Sequence, residues 1–250
     1  MKYQLVCKKC GKVIGDFAAW FGQDQLCECG SNHAEANYTT DYHRLNELCK
    51  PGLEVDNFYH YSPFLPVDED DEFVSLSEGA VPIEEWDFLE KYAKDHYGID
   101  CKVMVCRNDL NGGTGTFKDI AASLAATLFK KHNIEAYCLA STGNAAISYA
   151  TYLAKVGVKF TIFAPFDMYK ETQEAIHATG QRLVVSEGGY GQAKAEAADF
   201  HATHRVMISA GNIDPIRVEA KKTLVFECLR ELGRIPDVYM QAVAGGTSPI

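Results

Sequence analysis

The most informative segment of the chain reads Asn111-Gly112-Gly113-Thr114-Gly115-Thr116-Phe117-Lys118-Asp119. It follows an apolar segment, Lys102–Arg107, and leads into a helical pattern that begins at Lys118. Glycines let a backbone approach a ligand closely, and free N–H groups at a helix start favour an anion. Because the helix dipole disfavours a cation there, we expect a lowered pKa for the Lys118 amine. Schiff-base chemistry requires such a neutral amine.

Two common nucleotide-binding motifs do not fit this segment. A phosphate-binding P-loop needs Gly-Lys-Ser/Thr, whereas Phe117 precedes Lys118 and Asp119 follows it. The dinucleotide fingerprint needs a third glycine where Lys118 stands. A surface turn with a solvated lysine is therefore the plain interpretation of the segment taken alone.

Two further turns favour a ligand site. Ser141–Asn144 follows the predicted strand Ala136–Ala140, and Ala244–Ser248 follows the predicted strand Asp237–Val243. In an open parallel sheet such turns lie at the carboxyl ends of the strands, where ligands bind. Three turns of this kind, with Lys118 in one of them, suggest a phosphorylated aldehyde as cofactor.

Beyond Ser75 the sequence alternates between strand and helix patterns. This alternation predicts an α/β fold with parallel sheets covered by helices. The predicted strands are Lys102–Arg107, Ala136–Ala140, Lys159–Ala164, Arg182–Ser186, Arg205–Ser209 and Asp237–Val243. The predicted helices are Lys118–His132, Ala145–Lys155, Met168–Thr179, Tyr190–His204 and Pro215–Leu232.

These motifs resemble those of the fold-type II pyridoxal-phosphate enzymes, and from about Ser75 onward the chain is most similar to the threonine synthases. Thr116-Phe117-Lys118-Asp119 is similar to the family's Ser-Phe-Lys-Asp segment, which carries the Schiff-base lysine. The other matching segments are Ser75–Ile83, Ser141–Asn144, Asn212–Glu219 and Gly245–Ser248.

The resemblance implies a role for each matching residue. Lys118 would bond covalently to pyridoxal 5'-phosphate and act as the base, and Asn144 would contact the ring oxygen of the cofactor. The substrate carboxylate would be held by Ser141, Thr142 and Gly143. The cofactor phosphate would be cradled by Gly245, Gly246, Thr247 and Ser248.

The resemblance also implies a reaction, a carbon–oxygen lyase acting on a small phosphorylated amino acid. Threonine synthases convert O-phosphohomoserine and water to threonine and phosphate, and a homodimer is the expected assembly. A cysteate synthase-like enzyme, or another β-replacing or eliminating enzyme, is the alternative within this class. A non-catalytic scaffold of zinc ribbon and α/β unit is the alternative from a different class.

The implied architecture is a two-lobed fold-type II enzyme preceded by a small zinc-ribbon-like module. We expect this module at residues 1–50 and a linker at 51–74. A small mobile lobe is expected at 136–210, and a large lobe at 75–135 and 211–250. Because the sequence stops at Ile250, inside the expected phosphate loop, we expect the large lobe to be incomplete at this end.

Two close cysteine pairs near the start predict a structural zinc site. Zinc favours four thiolates from two tight turns, and a glycine follows each pair. Four thiolates leave no open position for water, so the metal would be structural and remote from the chemistry. Four reduced thiols without metal are the alternative, and His33 or Cys49 could replace one ligand. The predicted ligands are Cys7, Cys10, Cys27 and Cys29.

Composition and charge narrow the kinds of molecule that the chain can bind and the location that it can have. The chain has 250 residues, 47% of them apolar, which is enough for a sizeable core. A formal net charge of −10 argues against nucleic acid or an anionic membrane surface as the main partner. The longest apolar run, Ile120–Phe129, is too short to span a bilayer. Because residues 1–10 lack a hydrophobic signal core, a cytoplasmic location is expected.

Overall fold

The computed structural model describes residues 2–241 as an α/β structure. Its strands are β1 (Tyr3–Cys7), β2 (Val13–Gly15), β3 (Ala34–Tyr38), β4 (Ile83–Glu85), β5 (Met104–Cys106), β6 (Ala136–Ala140), β7 (Lys159–Ala164), β8 (Arg182–Val185) and β9 (Met207–Ile208). Its α-helices are α1 (Phe17–Gly22), α2 (His43–Leu48), α3 (Asp87–Tyr97), α4 (Lys118–Lys131), α5 (Asn144–Lys155), α6 (Lys170–Ala178), α7 (Tyr190–His204), α8 (Pro215–Lys221) and α9 (Thr223–Leu232). Short 3-10 helices span Phe58–Phe64, Asn108–Leu110 and Gly211–Ile213.

A four-stranded parallel sheet forms the centre of residues 136–208, with the strand order β8-β7-β6-β9. Leu139 and Ile162 belong to the core that includes α5, whereas Cys138 and Phe163 pack with α7. Because both faces are covered, the strands are apolar almost throughout, as buried parallel strands are. The predicted parallel sheet covered by helices is confirmed, and β6 and β7 have the predicted bounds.

The C-terminal predictions differ from the structure in two places. The predicted helix Pro215–Leu232 is two helices, α8 and α9, which are interrupted at Lys222. The Thr223 hydroxyl donates a hydrogen bond to the Ala220 carbonyl, which in a continuous helix would accept only from a backbone N–H. The predicted strand Asp237–Val243 is wrong over residues 237–241, which form no strand, and its last two residues lie outside the described range. Val238 and Met240 are exposed there, with no strand of residues 2–241 paired to them.

The strand before Lys118 belongs to a different sheet from the one expected. We expected it to be parallel, but β5 pairs with β4 in a separate two-stranded antiparallel sheet. Ion pairs link the two segments at both ends, Lys102 with Glu85 at 2.6 Å and Arg107 with Glu84 at 2.7 Å. Such cross-strand pairs of opposite charge favour this antiparallel register.

Helix α4 is the central element of the fold and begins at Lys118. Every residue from Asp119 to Phe129 is buried. Part of its cover comes from the antiparallel sheet of β1, β2 and β3 with α1, because Phe21 packs edge-on against Phe129 at 5.7 Å between ring centroids. The N-terminal residues therefore share a hydrophobic core with α4. The predicted domain boundaries themselves stay predictions.

The segment between these parts has four buried aromatic residues, Phe58, Tyr59, Tyr61 and Phe64. Tyr59 stacks on Phe73, with 4.2 Å between ring centroids, and its hydroxyl lies 2.6 Å from the Thr127 hydroxyl of α4.

Among the helices of residues 2–241, none has the length and apolar character needed to cross a membrane.

Candidate active site

The turn that presents Lys118 is held in place by its neighbour Asp119. The buried Asp119 carboxylate accepts hydrogen bonds from the Thr114 N–H at 2.9 Å, the Thr114 hydroxyl at 2.7 Å and the Thr116 N–H at 3.2 Å. The Thr114 hydroxyl also lies 3.0 Å from the Ser148 hydroxyl of α5. The turn is thus fixed both to α4 and to α5, and Lys118 begins the helix from a rigid base.

The glycines of this turn allow other parts of the protein to pack closely against it. A Cβ atom on Gly112 would lie 2.3 Å from the Leu76 carbonyl oxygen, too close for any other residue. Gly113 has a φ of +88°, and a Cβ atom there would lie 2.6 Å from the Tyr152 hydroxyl. These glycines therefore let the turn pack against the segment at Leu76 and against α5.

The amines of Lys118 and Lys221, called the amine pair below, meet over the ring of Phe117. Lys118 Nζ lies 4.2 Å from the ring centroid and Lys221 Nζ lies 5.1 Å from it. Burial, and then the charges of Lys118 and Arg217, lower the pKa of Lys221 to about 6. Burial lowers the pKa of Lys118, and the Arg217 guanidinium lowers that pKa further. The expected direction is confirmed, but burial and Arg217 cause it, whereas we expected the helix dipole to do so.

Helix α8 brings two basic residues, Arg217 and Lys221, to the site. Asp214 is its N-cap, accepting a hydrogen bond from the backbone of the first turn. The Arg217 Nε donates to the Tyr149 hydroxyl at 3.3 Å, and the guanidinium lies 5.1 Å from the centre of that ring. Because Arg217 and Lys221 are four residues apart, they share one face of the helix. That face is turned toward Lys118.

The second predicted turn precedes α5. Ser141 is buried, and its hydroxyl accepts a hydrogen bond from the Gly143 N–H at 3.3 Å. Thr142 and Asn144 are exposed. Helix α5 has twelve residues and no side-chain cap at its start. Its first N–H groups can therefore bind a carboxylate.

Comparison with known proteins places the chain in a family. The model of the family described as "Pyridoxal-phosphate dependent enzyme" matches residues 74–250. The chain belongs to the family of pyridoxal-phosphate-dependent enzymes.

The solved structures that the chain resembles have the same fold. The structure of apo diaminopropionate ammonia lyase of Escherichia coli has a TM-score of 0.55 at 19% identity, and the match covers 63% of this chain and 48% of that one. O-acetylserine sulfhydrylase isoform 3 of Entamoeba histolytica also has a TM-score of 0.55, at 21% identity, covering 67% and 52%.

Similar members of this pyridoxal-phosphate family include threonine synthases. The protein of Methanocaldococcus jannaschii is 29% identical over 259 residues, covering 98% of this chain and 58% of that protein. The protein of Mycobacterium bovis is 32% identical over 186 residues, covering 72% and 48%. The chain thus spans about half the length of the curated relatives that it matches.

The charges of the site fit the cofactor of this pyridoxal-phosphate family. Pyridoxal phosphate is an anionic aldehyde, so it needs a neutral amine for its carbonyl and cations or free N–H groups for its charge. Lys118 is an amine with a lowered pKa, and Arg217 supplies a fixed positive charge beside it. Within residues 2–241, neither amine of the pair forms an ion pair with a carboxylate. The positive charge of Arg217 is thus available to an anion.

A second group of possible ligands, four cysteines that could hold a metal ion, lies near the N-terminus of the chain. Cys7 Sγ lies 3.6 Å from Cys29 Sγ, and Cys10 Sγ lies 3.7 Å from Cys27 Sγ. All four sulfur atoms, called the thiol cluster below, lie within 4.8 Å of one another. Tetrahedral zinc with bonds of about 2.3 Å places its sulfur ligands roughly 3.8 Å apart. The predicted thiols are therefore brought together at a spacing that suits zinc.

The turns of the thiol cluster bring the Cys-x-Cys pair, Cys27 and Cys29, beside the Cys-x-x-Cys pair, Cys7 and Cys10. Gly11 donates its N–H to the Cys7 carbonyl at 2.9 Å, and Gly30 donates to the Cys27 carbonyl at 2.7 Å. Both glycines have positive φ, +73° and +77°. Cys49 donates instead to a distant carbonyl, and neither it nor His33 belongs to the group of possible ligands found among the described residues.

The sequence motifs missed part of the site. Lys118 and the Ser141–Asn144 turn are joined through α5, but Gly245, Gly246, Thr247 and Ser248 lie outside the described residues. Arg217 lies inside the matching segment Asn212–Glu219, whereas Lys221 belongs to no motif of the sequence. Their spacing of four residues on a predicted helix is the signal that could have paired them. Nothing in the sequence indicates that this face meets Lys118.

Proposed function

We propose that the chain is part of a carbon–oxygen lyase that uses pyridoxal phosphate and acts on a small phosphorylated amino acid. The proposed reaction is that of threonine synthase, O-phosphohomoserine and water to threonine and phosphate. The named relatives support this reaction. The observation that carries the proposal is the position of the Lys118 amine at the start of a buried helix, where burial and Arg217 of α8 lower its pKa.

Each group of the proposed site has a task that its chemistry suits. When bound, pyridoxal phosphate supplies an electron sink for carbanions. Lys118 bonds to the cofactor and moves protons at the substrate. Arg217 attracts an anionic group of the substrate, because it is always charged and is not neutralised by a salt bridge in the described residues.

The turn before α5 is proposed to hold the substrate and to orient the cofactor. The N–H groups around Ser141, Thr142 and Gly143 take the carboxylate, and the Asn144 amide donates to the ring oxygen of the cofactor. The uncapped helix start supports the first role and the exposure of Asn144 supports the second. The phosphate loop is proposed at residues 245–248, outside the described range.

Phosphate release tests the proposed reaction. The complete protein should release phosphate from O-phosphohomoserine and form threonine, and Lys118→Ala should abolish this. Lys130→Ala, at the exposed end of the same helix, is the matched control and should keep the activity. Release from O-phosphoserine alone would favour the cysteate synthase-like alternative. A protein that never takes up the cofactor would favour the non-catalytic scaffold.

We also propose that the thiol cluster binds one structural zinc ion. Four sulfur ligands complete a tetrahedral shell, so no position is open for a reacting water. Metal analysis of protein purified under reducing conditions should find one zinc per chain. A Cys10→Ser variant should lose it, whereas Cys101→Ser, at an exposed cysteine outside the thiol cluster, should not.

Two further proposals concern assembly and location. The resemblance to threonine synthases is what supports a homodimer and a cytoplasmic enzyme. Sedimentation equilibrium of the complete protein tests the first proposal, and fractionation of cells tests the second. A monomer at all concentrations would contradict the homodimer.

A further inference from the structure

A cavity of about 520 Å³ lies between α7 and the parallel sheet, at the end of the sheet formed by β8. Its volume is in the range of small-molecule sites. Helix α7 packs on the face of the sheet that includes Phe163, whereas α5 packs on the opposite face, with Leu139 and Ile162. The cavity is therefore separate from the candidate active site, which is built on α4, α5 and α8.

The floor of the cavity is apolar and largely aromatic. It consists of Phe163 of β7, Val184 of β8 and Phe200 of α7, and the centroids of the two phenyl rings are 5.5 Å apart. The His204 ring stacks on Phe200, with 4.3 Å between centroids. Aromatic rings gain from tilted or offset contact with a further ring. The floor therefore favours a ligand with an apolar side chain.

One charge of each sign borders this floor. Arg182 and Val184 are two residues apart on β8, so they point to the same face of the sheet. The Arg182 guanidinium lies 5.7 Å from the centre of the Phe200 ring. Asp199 lines the cavity from α7. Within residues 2–241, neither charged side chain forms a hydrogen bond or an ion pair, and both are exposed.

The other carboxylate of the cavity already has partners. Glu196 accepts hydrogen bonds from the Ser186 hydroxyl at 2.9 Å and from the Gln192 amide at 2.9 Å. Asp199 and Arg182 are therefore the charged groups that remain for a ligand. A carboxylate binds an ammonium group, and a guanidinium binds a carboxylate through two parallel hydrogen bonds.

We propose that this cavity is a second ligand site, which binds an apolar α-amino acid. The ammonium group of the ligand donates to Asp199, its carboxylate accepts from Arg182, and its side chain lies on the floor against Phe200. A zwitterion with an apolar side chain carries all three of these groups. Binding is reversible and no covalent bond changes. The inference does not depend on the reaction proposed for Lys118.

The test measures the binding of L-phenylalanine to the complete protein loaded with pyridoxal phosphate, by isothermal titration calorimetry. We expect saturable binding. Asp199→Asn and Arg182→Gln should each weaken it by on the order of tenfold, because each removes one charge-assisted hydrogen bond. Phenethylamine lacks the carboxylate and 3-phenylpropanoate lacks the ammonium group, so each should also bind on the order of tenfold more weakly.

Asp95→Asn and Lys91→Gln are the matched controls. They remove one negative and one positive charge from exposed positions of α3, outside the cavity, and should bind L-phenylalanine like the wild type. A further variant, Ala195→Trp, fills the cavity from an exposed position and leaves both charges in place. It should abolish binding. Circular dichroism verifies that all variants fold.

Three results would overturn the inference. The first is the absence of saturable binding up to about 10 mM ligand. The second is unchanged binding in Asp199→Asn and Arg182→Gln, which would place the ligand elsewhere, the candidate active site included. The third is equal binding of phenethylamine and L-phenylalanine, which would show that Arg182 recognises no carboxylate.

Discussion

The thiol cluster and the amine pair are both groups of candidate ligand side chains, but they are assembled over very different lengths of chain. The thiol cluster closes between Cys7 and Cys29, through two glycine turns. The amine pair joins the start of α4 to the end of α8, and all four strands of the parallel sheet lie between these helices in sequence. The first set needs only local geometry, whereas the second exists only when the fold is complete.

This difference has a physical consequence. In the thiol cluster, the ligand atoms are placed by backbone hydrogen bonds within a few residues of each cysteine. In the amine pair, the lowered pKa of each lysine comes first from burial, which depends on every element packed around it. We therefore expect changes at the thiol cluster to act on local stability, and changes at the amine pair to act on chemistry.

The largest expected effect is that of Lys118→Ala. Removing the amine removes the covalent bond to the cofactor, so the visible absorbance of the bound cofactor should disappear. Turnover should fall by about 10³-fold or more, because general-base catalysis is lost as well. Absorbance spectra and phosphate release measure both. Retained absorbance in this variant would show that another residue carries the cofactor.

Removal of metal from the thiol cluster should be nearly as large an effect, but on stability. A chelator should make residues 1–50 sensitive to protease and reduce the free energy of unfolding by several kcal/mol. The cofactor absorbance should stay near its original level, since Lys118, Arg217 and Asn144 all lie outside residues 1–50. Prompt loss of absorbance on chelation would show instead that the metal supports the amine pair.

The turn before α5 should give intermediate effects. Asn144→Ala should shift the cofactor absorbance and weaken cofactor binding by about tenfold, the value of one hydrogen bond. Thr142→Ala should chiefly raise KM, because it acts on the substrate. If both variants match the wild type in spectrum and kinetics, the turn is only a helix start.

The smallest expected effect on catalysis concerns the contact between the N-terminal sheet and α8, which acts on stability. The Tyr38 hydroxyl donates to the buried Glu219 carboxylate at 2.7 Å. Tyr38→Phe removes this charged hydrogen bond and should cost about 1.5–3 kcal/mol in urea unfolding. Tyr42→Phe, at an exposed tyrosine, is the control and should cost nothing measurable. Equal values for the two variants would remove this link between the regions.

The same contrast explains what the sequence could predict. The cysteine spacing predicted that these four thiols come together, and the strand and helix periods predicted the parallel sheet. Both predictions depend on residues close in sequence. The pairing of β5 with β4 was missed, since it depends on which segments meet after folding. Lys221 was missed for that reason too: only tertiary packing brings it to Phe117.

The cause of the lowered pKa at Lys118 shows the limit most clearly. The helix start was visible in the sequence, and it suggested a dipole effect of the right sign. Burial and Arg217 provide the effect in the structure. Neither burial nor a cation ninety-nine residues away (217 − 118) can be read from the segment around Lys118.

The central claim is that Lys118, and not its neighbour Lys221, carries the cofactor. Borohydride reduction of the complete protein loaded with pyridoxal phosphate, followed by peptide mapping, tests it most directly. We predict a single label, on Lys118. A label on Lys221 or Lys130, or no label at all, would contradict the account.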